Sequence, residues 1–459
     1  MKTVKIGGCS AMWGDLLGPP VDMAKRTDVN YQCFDFLAEL TMSMLYRLKL
    51  RNPEMGYVPD IVPWNKALLP ICRKKGIKII SNGGGTNPEA AGDAIVKVGE
   101  ELGMTGMKVG VVLGDDVLTQ LDELRAKGLK FPNLDTGEED IDSIKDKITA
   151  GAYVYIGADL ITEALKEGCD EVIGGRFSDN ALFVGPFMHE FGWAYKEPYW
   201  NKIGAAITIG HLLECAACCT GGAMCNLWKE LPEPWNIGDP IAEVDENGEA
   251  VITKTPDTGG LVNVQTVKDH LVYEIQDPKN YIMPDGIADF TTLKLEDIGE
   301  NKVKVTNMTG KPRPDKLKMG IGYDAGYIID LTIFYSWPDA FEKVKYAERN
   351  FYEWLKWANM KPLETRVDYI GINMTEGPTV QIPEYVNDLP ELGLRFAARF
   401  NTREEAYTMR REAGRFTGQP VGTGFGANPP SNPRRAIGIW PTLIPRDEVH
   451  TRLVIKEVK

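Results

Sequence analysis

One phrase, repeated through the first half of the chain, limits the possible folds more than any other feature. It is a short apolar run rich in β-branched residues that ends in small or polar residues and is followed by a helical stretch. "TVKIGG" closes at Gly8, "YQCFDFLAE" at Glu39, "IKIISNGGG" at Gly85, "MKVGVVLGDD" at Asp116, "AYVYIGAD" at Asp159 and "DEVIGGRFSD" at Asp179. Good helix formers lie between them, as in 88–103 and 160–168. Continuous apolar strands that alternate with helices specify a parallel sheet covered on both faces. The expected class is therefore α/β, with a mostly parallel sheet flanked by helices over residues 1–231. In open sheets of this kind ligands bind beyond the carboxyl ends of the strands. Asp15, Glu39, Asn82, Asp115, Asp116, Arg176 and Asp179 all fall there.

From Pro232 the pattern changes. Asn247-Gly248 supplies the positive φ of a tight hairpin turn. "LKMGIGYDAGYIIDLTIFYS" (317–336) reads as two strands around Asp324-Ala325-Gly326. Phe341, Val344, Ala347, Phe351, Trp354 and Ala358 recur at helical spacing. "RVDYIGINM" and "LGLRFAARF" read as strands, and Thr402 with Glu405 has capping-box spacing for a helix ending near Phe416. Strand, helix, strand, strand, helix, strand predicts a second α+β domain of split β-α-β type over 232–459. The Gly/Pro-rich loop 416–435 is long enough to be functional and brings Arg434 and Arg435 within reach of an anion.

Composition removes several classes of function. A net charge of −13 without any basic run argues against nucleic acid and anionic membrane surfaces as partners. No run reaches the ~18 apolar residues of a membrane span, and the N-terminus lacks a signal-peptide core. Eight irregularly spaced Cys do not form a disulfide framework. These features predict a cytoplasmic protein with reduced thiols.

Four stretches carry chemistry. In "ISNGGGTNPEA", Asn82, Gly84, Gly85, Thr86 and Asn87 precede a helix with Pro88 in its first turn, a place for a carboxylate or phosphate; an ordinary tight turn fits as well. Asp115 and Asp116 have the chemistry to hold a divalent metal or to cap the next helix. "GGRFSDNALFVGPFMHE" gathers Arg176, Asp179, His189 and Glu190 in a chain with four His. Arg is a bidentate carboxylate partner, His the usual acid/base near neutral pH. Gly185-Pro186 predicts that His189-Glu190 lies on a loop. "HLLECAACCTGGAMC" places His211 and Glu214 at i, i+3 and His211 and Cys215 at i, i+4. Its Cys218, Cys219 and Cys225 fit buried packing or, less regularly, a metal.

Together, "WGD" (13–15), "DFLAELTM" (35–42), "ISNGGGTNPEA" (80–90), "GDD" (114–116), "GGRFSDNAL" (174–182), "HEFGW" (189–193), "GHLLEC" (210–215), "TGG" (220–222), "GLVNVQTVKDHLVYEIQDP" (260–278) and "FGANPPSNPRRAIGIWPTLIPRDEV" (425–449) resemble the AtuA family of acyclic terpene utilisation. The resemblance implies an enzyme in the catabolism of branched carboxylic acids or their CoA thioesters. It also implies a small partner subunit, because longer relatives carry an extra C-terminal domain, and a homo-oligomer. It favours Arg176, Asp179, His189, Glu190, His211 and Glu214, which lie inside the matching phrases.

The resulting expectation is a hydro-lyase or carbon–carbon lyase. Arg176 and the 82–87 loop, with Asp15 and Glu39, would bind a carboxylate or acyl-CoA. His189 or His211 would move the proton, oriented by Glu190 or Glu214 with Asp179 nearby, and a metal at Asp115 and Asp116 would polarise the carbonyl. Two alternatives remain: hydrolysis of a thioester or amide through Cys215 with His211 as base, and a non-catalytic acid-binding subunit.

Overall fold

The computed structural model describes residues 2–459 apart from 225, 227, 413–424 and 429. The chain forms two compact units: 1–145 with 150–322 and 439–459, and 146–149 with 323–438. Strands are numbered along the chain. Those of the first part are Thr3–Gly8 (β1), Tyr31–Phe34 (β2), Lys78–Ser81 (β3), Lys108–Leu113 (β4), Ile148–Val154 (β5), Glu171–Ile173 (β6), Pro240–Asp245 (β7) and Ala250–Lys254 (β8). Then come Tyr281–Met283 (β9), Gly286–Asp289 (β10), Lys294–Gly299 (β11), Lys302–Thr306 (β12) and Thr309–Lys311 (β13). The remainder are Lys316–Ser336 (β14), Glu364–Ile370 (β15), Glu391–Phe400 (β16), Phe425–Asn428 (β17), Arg434–Pro445 (β18) and Arg452–Glu457 (β19).

The main sheet of the larger unit has the order β11-β12-β8-β7-β1-β2-β3-β6-β4-β19. The expected parallel sheet is its centre: β1, β2, β3, β6 and β4 pair in parallel. The sheet as a whole is mixed rather than mostly parallel. β7, β8, β12 and β11 extend one edge antiparallel, and β19 closes the other against β4. Hairpins need only a few residues between strands, so a chain that stops inserting crossover helices continues antiparallel. The β7–β8 hairpin turns at Asn247-Gly248, where Gly248 has φ +88. These added strands lie beyond residue 232, so the compact units do not divide at the expected 231/232 boundary. The apolar phrase of β5 also leads elsewhere, pairing with β14 instead of joining this sheet.

Helices cover the parallel centre. Ile95 and Val98 of the helix Pro88–Glu101, Leu68 and Leu69 of Ile61–Lys75, and Val109 and Val111 of β4 belong to one buried cluster. Each such side chain contributes about 1.5–3 kcal/mol when fully buried. Two local features place the functional residues. A Cβ at Gly8 would lie 1.9 Å from the Leu213 carbonyl oxygen. The missing side chain lets the helix Trp200–Glu214 press its last turn against the end of β1. The second is the helix Ala181–Phe191, which continues through Pro186 instead of breaking there. Proline removes the N–H that the Leu182 carbonyl would accept, and the Cys33 thiol donates to that oxygen at 3.2 Å.

In the smaller unit β15, β16, β14 and β17 form an antiparallel sheet in that order. The helices Ala340–Trp357 and Arg403–Glu412 join a core of Ile333, Val344, Phe351, Phe396 and Met409. Thr402 and Glu405 cap the second helix as their spacing predicts, the Thr402 N–H donating to Oε2 at 3.0 Å. Phe416 lies outside the described residues. The expected pair of strands at 317–336 is one strand, β14. Gly326, at φ +91, absorbs the local twist, and its N–H donates to Asp324. Arg395 binds both Asp330 and Asp368.

Candidate functional site

Arg176 follows β6 after Gly174 and Gly175. Its N–H donates to Asp115 at 2.7 Å, and its carbonyl accepts from Ile156 at 3.0 Å, so both backbone groups are fixed. The buried guanidinium donates through Nη1 to the Leu37 carbonyl at 3.0 Å and to Asp179 at 2.8 Å. It lies 4.1 Å from the centroid of the Tyr155 ring, and Lys318 Nζ lies 4.7 Å from the same ring. The Tyr155 hydroxyl donates to Glu39 Oε1 at 2.8 Å, and Lys318 donates to the same oxygen at 3.0 Å. Burial would raise the Glu39 carboxyl, but Lys318 outweighs it and holds the group at about 2. Beneath them Asp35 accepts from Asn82 at 2.6 Å. Its burial and the charge of Asp179 push its carboxyl well above the usual range despite Arg176.

The last turn of the helix Trp200–Glu214 supplies the other half. His211 Nδ1 lies 3.0 Å from Glu214 Oε1, and its Nε2 lies 3.2 Å from the His270 carbonyl. A carbonyl only accepts, so Nε2 carries the proton and Nδ1 is the acceptor. Burial agrees, lowering the imidazole to about 4. Burial also raises the Glu214 carboxyl well above its ordinary value, aided by the charges of Asp179 and Glu274. A protonated Glu214 that donates to a neutral His211 satisfies both groups. The other carboxyl oxygen, Oε2, is buried with no hydrogen-bond partner among the described residues.

Both halves open on one cleft of about 400 Å³ whose lining includes Glu39, Tyr155, Asp179, His211, Glu214 and Lys318. Ser178, Glu274, Tyr281 and Lys316 complete its polar surface. Tyr155, Lys318 and Tyr281 were not expected from the sequence. Lys318 left one signal, the alternation of Lys316 and Lys318 with apolar residues at the start of β14.

The remaining expected residues lie elsewhere. His189 and Glu190 end the helix Ala181–Phe191, and at ~1.5 Å rise per residue that end is roughly 15 Å from Asp179. Glu190 accepts from Tyr31 at 2.6 Å and pairs with Lys2 at 2.7 Å, which ties down the start of the first strands. The predicted loop for this pair is thus a helix end, and the pair does not join the cleft.

The 82–87 loop is occupied by its own bonds. The N–H groups of Gly85, Thr86 and Asn87 donate to the carbonyls of Asn82, Gly56 and Gly84. The Asn82 side chain joins Phe36 to Asp35, and the Asn87 side chain donates to the carbonyls of Pro53 and Met55. A Cβ at Gly84 would lie 2.5 Å from the Gly174 carbonyl oxygen, so this loop packs tightly on the strand that carries Arg176. In the expected anion site these three N–H groups are thus taken up by the turn itself. Asp15 closes its own turn by accepting from Ala11 and Leu16.

Asp115 accepts from Arg176 and Asp116 from Leu118, each carboxylate on a different backbone N–H. Burial raises Asp115 to about 7. Among the described residues no group of three or more His, Cys, Asp or Glu is placed to hold a metal ion, and these two do not make one. Cys215 turns to Cys218 rather than to His211, whose Nδ1 faces Glu214. The bond with Cys218 raises the Cys215 thiol and lowers that of Cys218. Cys225 lies outside the described residues. In the smaller unit Arg434 pairs with Asp330 and Arg435 with Asp324, so both are matched by acids.

Fold and cleft together define a mixed α/β protein whose titratable groups converge beyond the carboxyl ends of a parallel strand core. The model of the acyclic terpene utilisation family protein AtuA matches residues 4–455, and the chain belongs to that family. No curated protein and no solved structure matches it significantly. No helix among the described residues is long and apolar enough to cross a membrane.

Proposed function

We propose that this protein is a lyase of branched carboxylic acids or their thioesters, working in the cleft between Arg176 and Glu214. The observation that carries the reading is the contrast between its two acidic groups. Asp179 is ion-paired to Arg176, whereas Glu214 is held neutral by burial. A carboxylate in an ion pair and a buried carboxyl that donates to an imidazole supply a base and an acid. Family membership supports a catabolic setting through its name, acyclic terpene utilisation.

In a hydro-lyase reaction Asp179 takes the proton from the carbon α to the substrate carbonyl. The electron pair left behind forms the C=C bond and expels the β-hydroxyl. Glu214 gives that hydroxyl the proton it shares with His211 Nδ1, so that water leaves, and His211 positions the carboxyl until then. Lys318 and Lys316 offer cationic partners for the substrate's carboxylate. Solvent returns a proton to Glu214 and removes one from Asp179, which closes the cycle with no redox change.

The test is a thermal-shift panel of branched hydroxy acids and acyl-CoA esters, followed by turnover assays on any stabilising compound. A ligand that binds only the folded state at ~100 Kd stabilises it by roughly 2.7 kcal/mol. A stabilising acid that is turned over by the wild type and not by D179N or E214Q supports the reading. Binding without turnover would instead favour a non-catalytic acid-binding subunit.

A further inference from the structure

A second cleft, of about 200 Å³, lies on the other side of Leu317, a residue that lines both. Its lining includes Gly157, Asp159, Leu160, Arg313, Arg446 and Thr451. Arg446 is distinctive. Its Nε donates to the Pro314 carbonyl at 3.1 Å, and its Nη2 donates to the carbonyls of Pro314 at 2.9 Å and Pro284 at 2.6 Å. Among the described residues no carboxylate pairs with it, and its Nη1 makes no hydrogen bond. Two backbone carbonyls orient this guanidinium through three hydrogen bonds, while Asp285 and Asp159 act on it only through space.

Arg313 stands close enough to oppose that charge, and burial together with Arg313 lowers the affinity of Arg446 for its proton. The Arg313 guanidinium pairs with Asp159 at 3.0 Å and lies 4.4 Å from the centroid of the Tyr195 ring. Asp285, buried beside Gly157, accepts from Tyr195 and from the Ala158 N–H. Burial, followed by the charge of Asp159, raises it to about 6. Two guanidinium groups face one cleft whose lining carboxylate, Asp159, is already paired to Arg313, which leaves Arg446 Nη1 to meet an anion between them. Planar guanidinium groups match phosphate oxygens in pairs.

We propose that this cleft is a phosphate-type anion site, in which Arg446 Nη1 and Arg313 hold the oxygens. The anion has two possible sources, a free phosphate or diphosphate and the phosphate end of a thioester whose acyl part occupies the larger cleft. Only the second rests on the proposed function.

Equilibrium binding of inorganic diphosphate to the whole protein, followed by calorimetry, tests the site independently of activity. The expected result is saturable binding to the wild type that is weakened at least about tenfold, or ~1.4 kcal/mol, in both R446Q and R313Q. Arg446 also braces two carbonyls, so R313Q, on a half-exposed pair, keeps the test valid if R446Q misfolds. Equal binding by wild type and R313Q, or no binding by the wild type at millimolar diphosphate, overturns the proposal. Displacement of bound diphosphate by coenzyme A but not by pantetheine identifies the thioester source. Retention of diphosphate against both identifies the free ion and leaves the lyase reading untouched.

Discussion

Nδ1 of His211 lies 3.0 Å from Oε1 of Glu214, in a pair where burial keeps the imidazole unprotonated and the carboxyl protonated. Glu214→Gln therefore replaces one neutral group by another of the same shape. Its amide still donates to Nδ1, so the melting temperature should stay close to that of the wild type. Proton transfer is lost, and kcat should fall by about 10²–10⁴-fold. A large loss of stability with activity intact would show a structural pair instead.

His189→Gln serves as the matched control. The imidazole sits at the far end of its helix from Asp179, so turnover on the substrate that the panel identifies should be unchanged. A drop comparable to that of E214Q would bring the opposite helix end back into the reaction.

Glu171 gives a pH signature of the core. It is a buried carboxyl in the short central strand β6, with Asn65 donating to it at 3.2 Å. Burial raises it to about 8, against about 4.3 in an unfolded chain. The folded state then holds the proton more tightly, so this group's contribution to stability falls as pH rises through that window. Glu171→Gln removes the titration. The variant should gain on the wild type by up to about 1.4 kcal/mol per pH unit across it, seen in melting temperatures from pH 5 to pH 9. Parallel curves would refute this.

The Cys33 thiol and Pro186 should be energetically coupled through the Leu182 carbonyl. Cys33→Ala alone leaves that oxygen buried without a donor. In a Pro186→Ala background the helix supplies its own N–H, so the cost of losing the thiol should shrink. A double-mutant cycle from urea unfolding should give a coupling of about 0.5–3 kcal/mol, and strict additivity would exclude the bond as a stabilising element.

In the smaller unit Arg395→Met removes the arginine that Asp368 and Asp330 share, leaving Arg366 at 2.7 Å on the first and Arg434 at 3.5 Å on the second. Asp368 is 4 % exposed and Arg395 is 24 % exposed, so partial solvation reduces the effect. The expected loss is about 2 kcal/mol, below the 3–5 of a fully buried pair. Burial opposes ionisation of Asp330, but Ser431 and Arg395 hold its carboxyl below the ordinary value. The stabilisation from Arg395 is thus present at neutral pH and lost as pH falls below about 3.9. The variant and the wild type should converge there.

The parallel centre of the main sheet was legible because β1, β3, β4 and β6 are apolar runs that only a doubly covered sheet buries. β5 has the same composition and pairs elsewhere, since a run's burial does not name its partner. Half of the cleft was legible for the same reason: Arg176 and Asp179 follow the end of β6, Glu39 opens the helix after β2, and His211 with Glu214 shares a helix face. Lys318 was hidden because it reaches Glu39 across 279 residues of chain. His189 misled because crowding in sequence is not crowding in space once a helix intervenes. Gly185-Pro186 reads as a break in sequence, but the thiol of another strand satisfies the carbonyl that the proline leaves without its N–H.

β19 pairs Arg452 with Leu113 and so covers the outer edge of β4. During synthesis on a ribosome, that edge stays bare while the whole intervening polypeptide emerges. Unpaired strand edges are templates for pairing with other chains. Such a nascent chain needs shielding by a chaperone for longer than a protein whose sheet closes on neighbouring segments. A tag or truncation at the last strand would prolong that exposure, and its cost would appear as aggregation during expression rather than as lost catalysis.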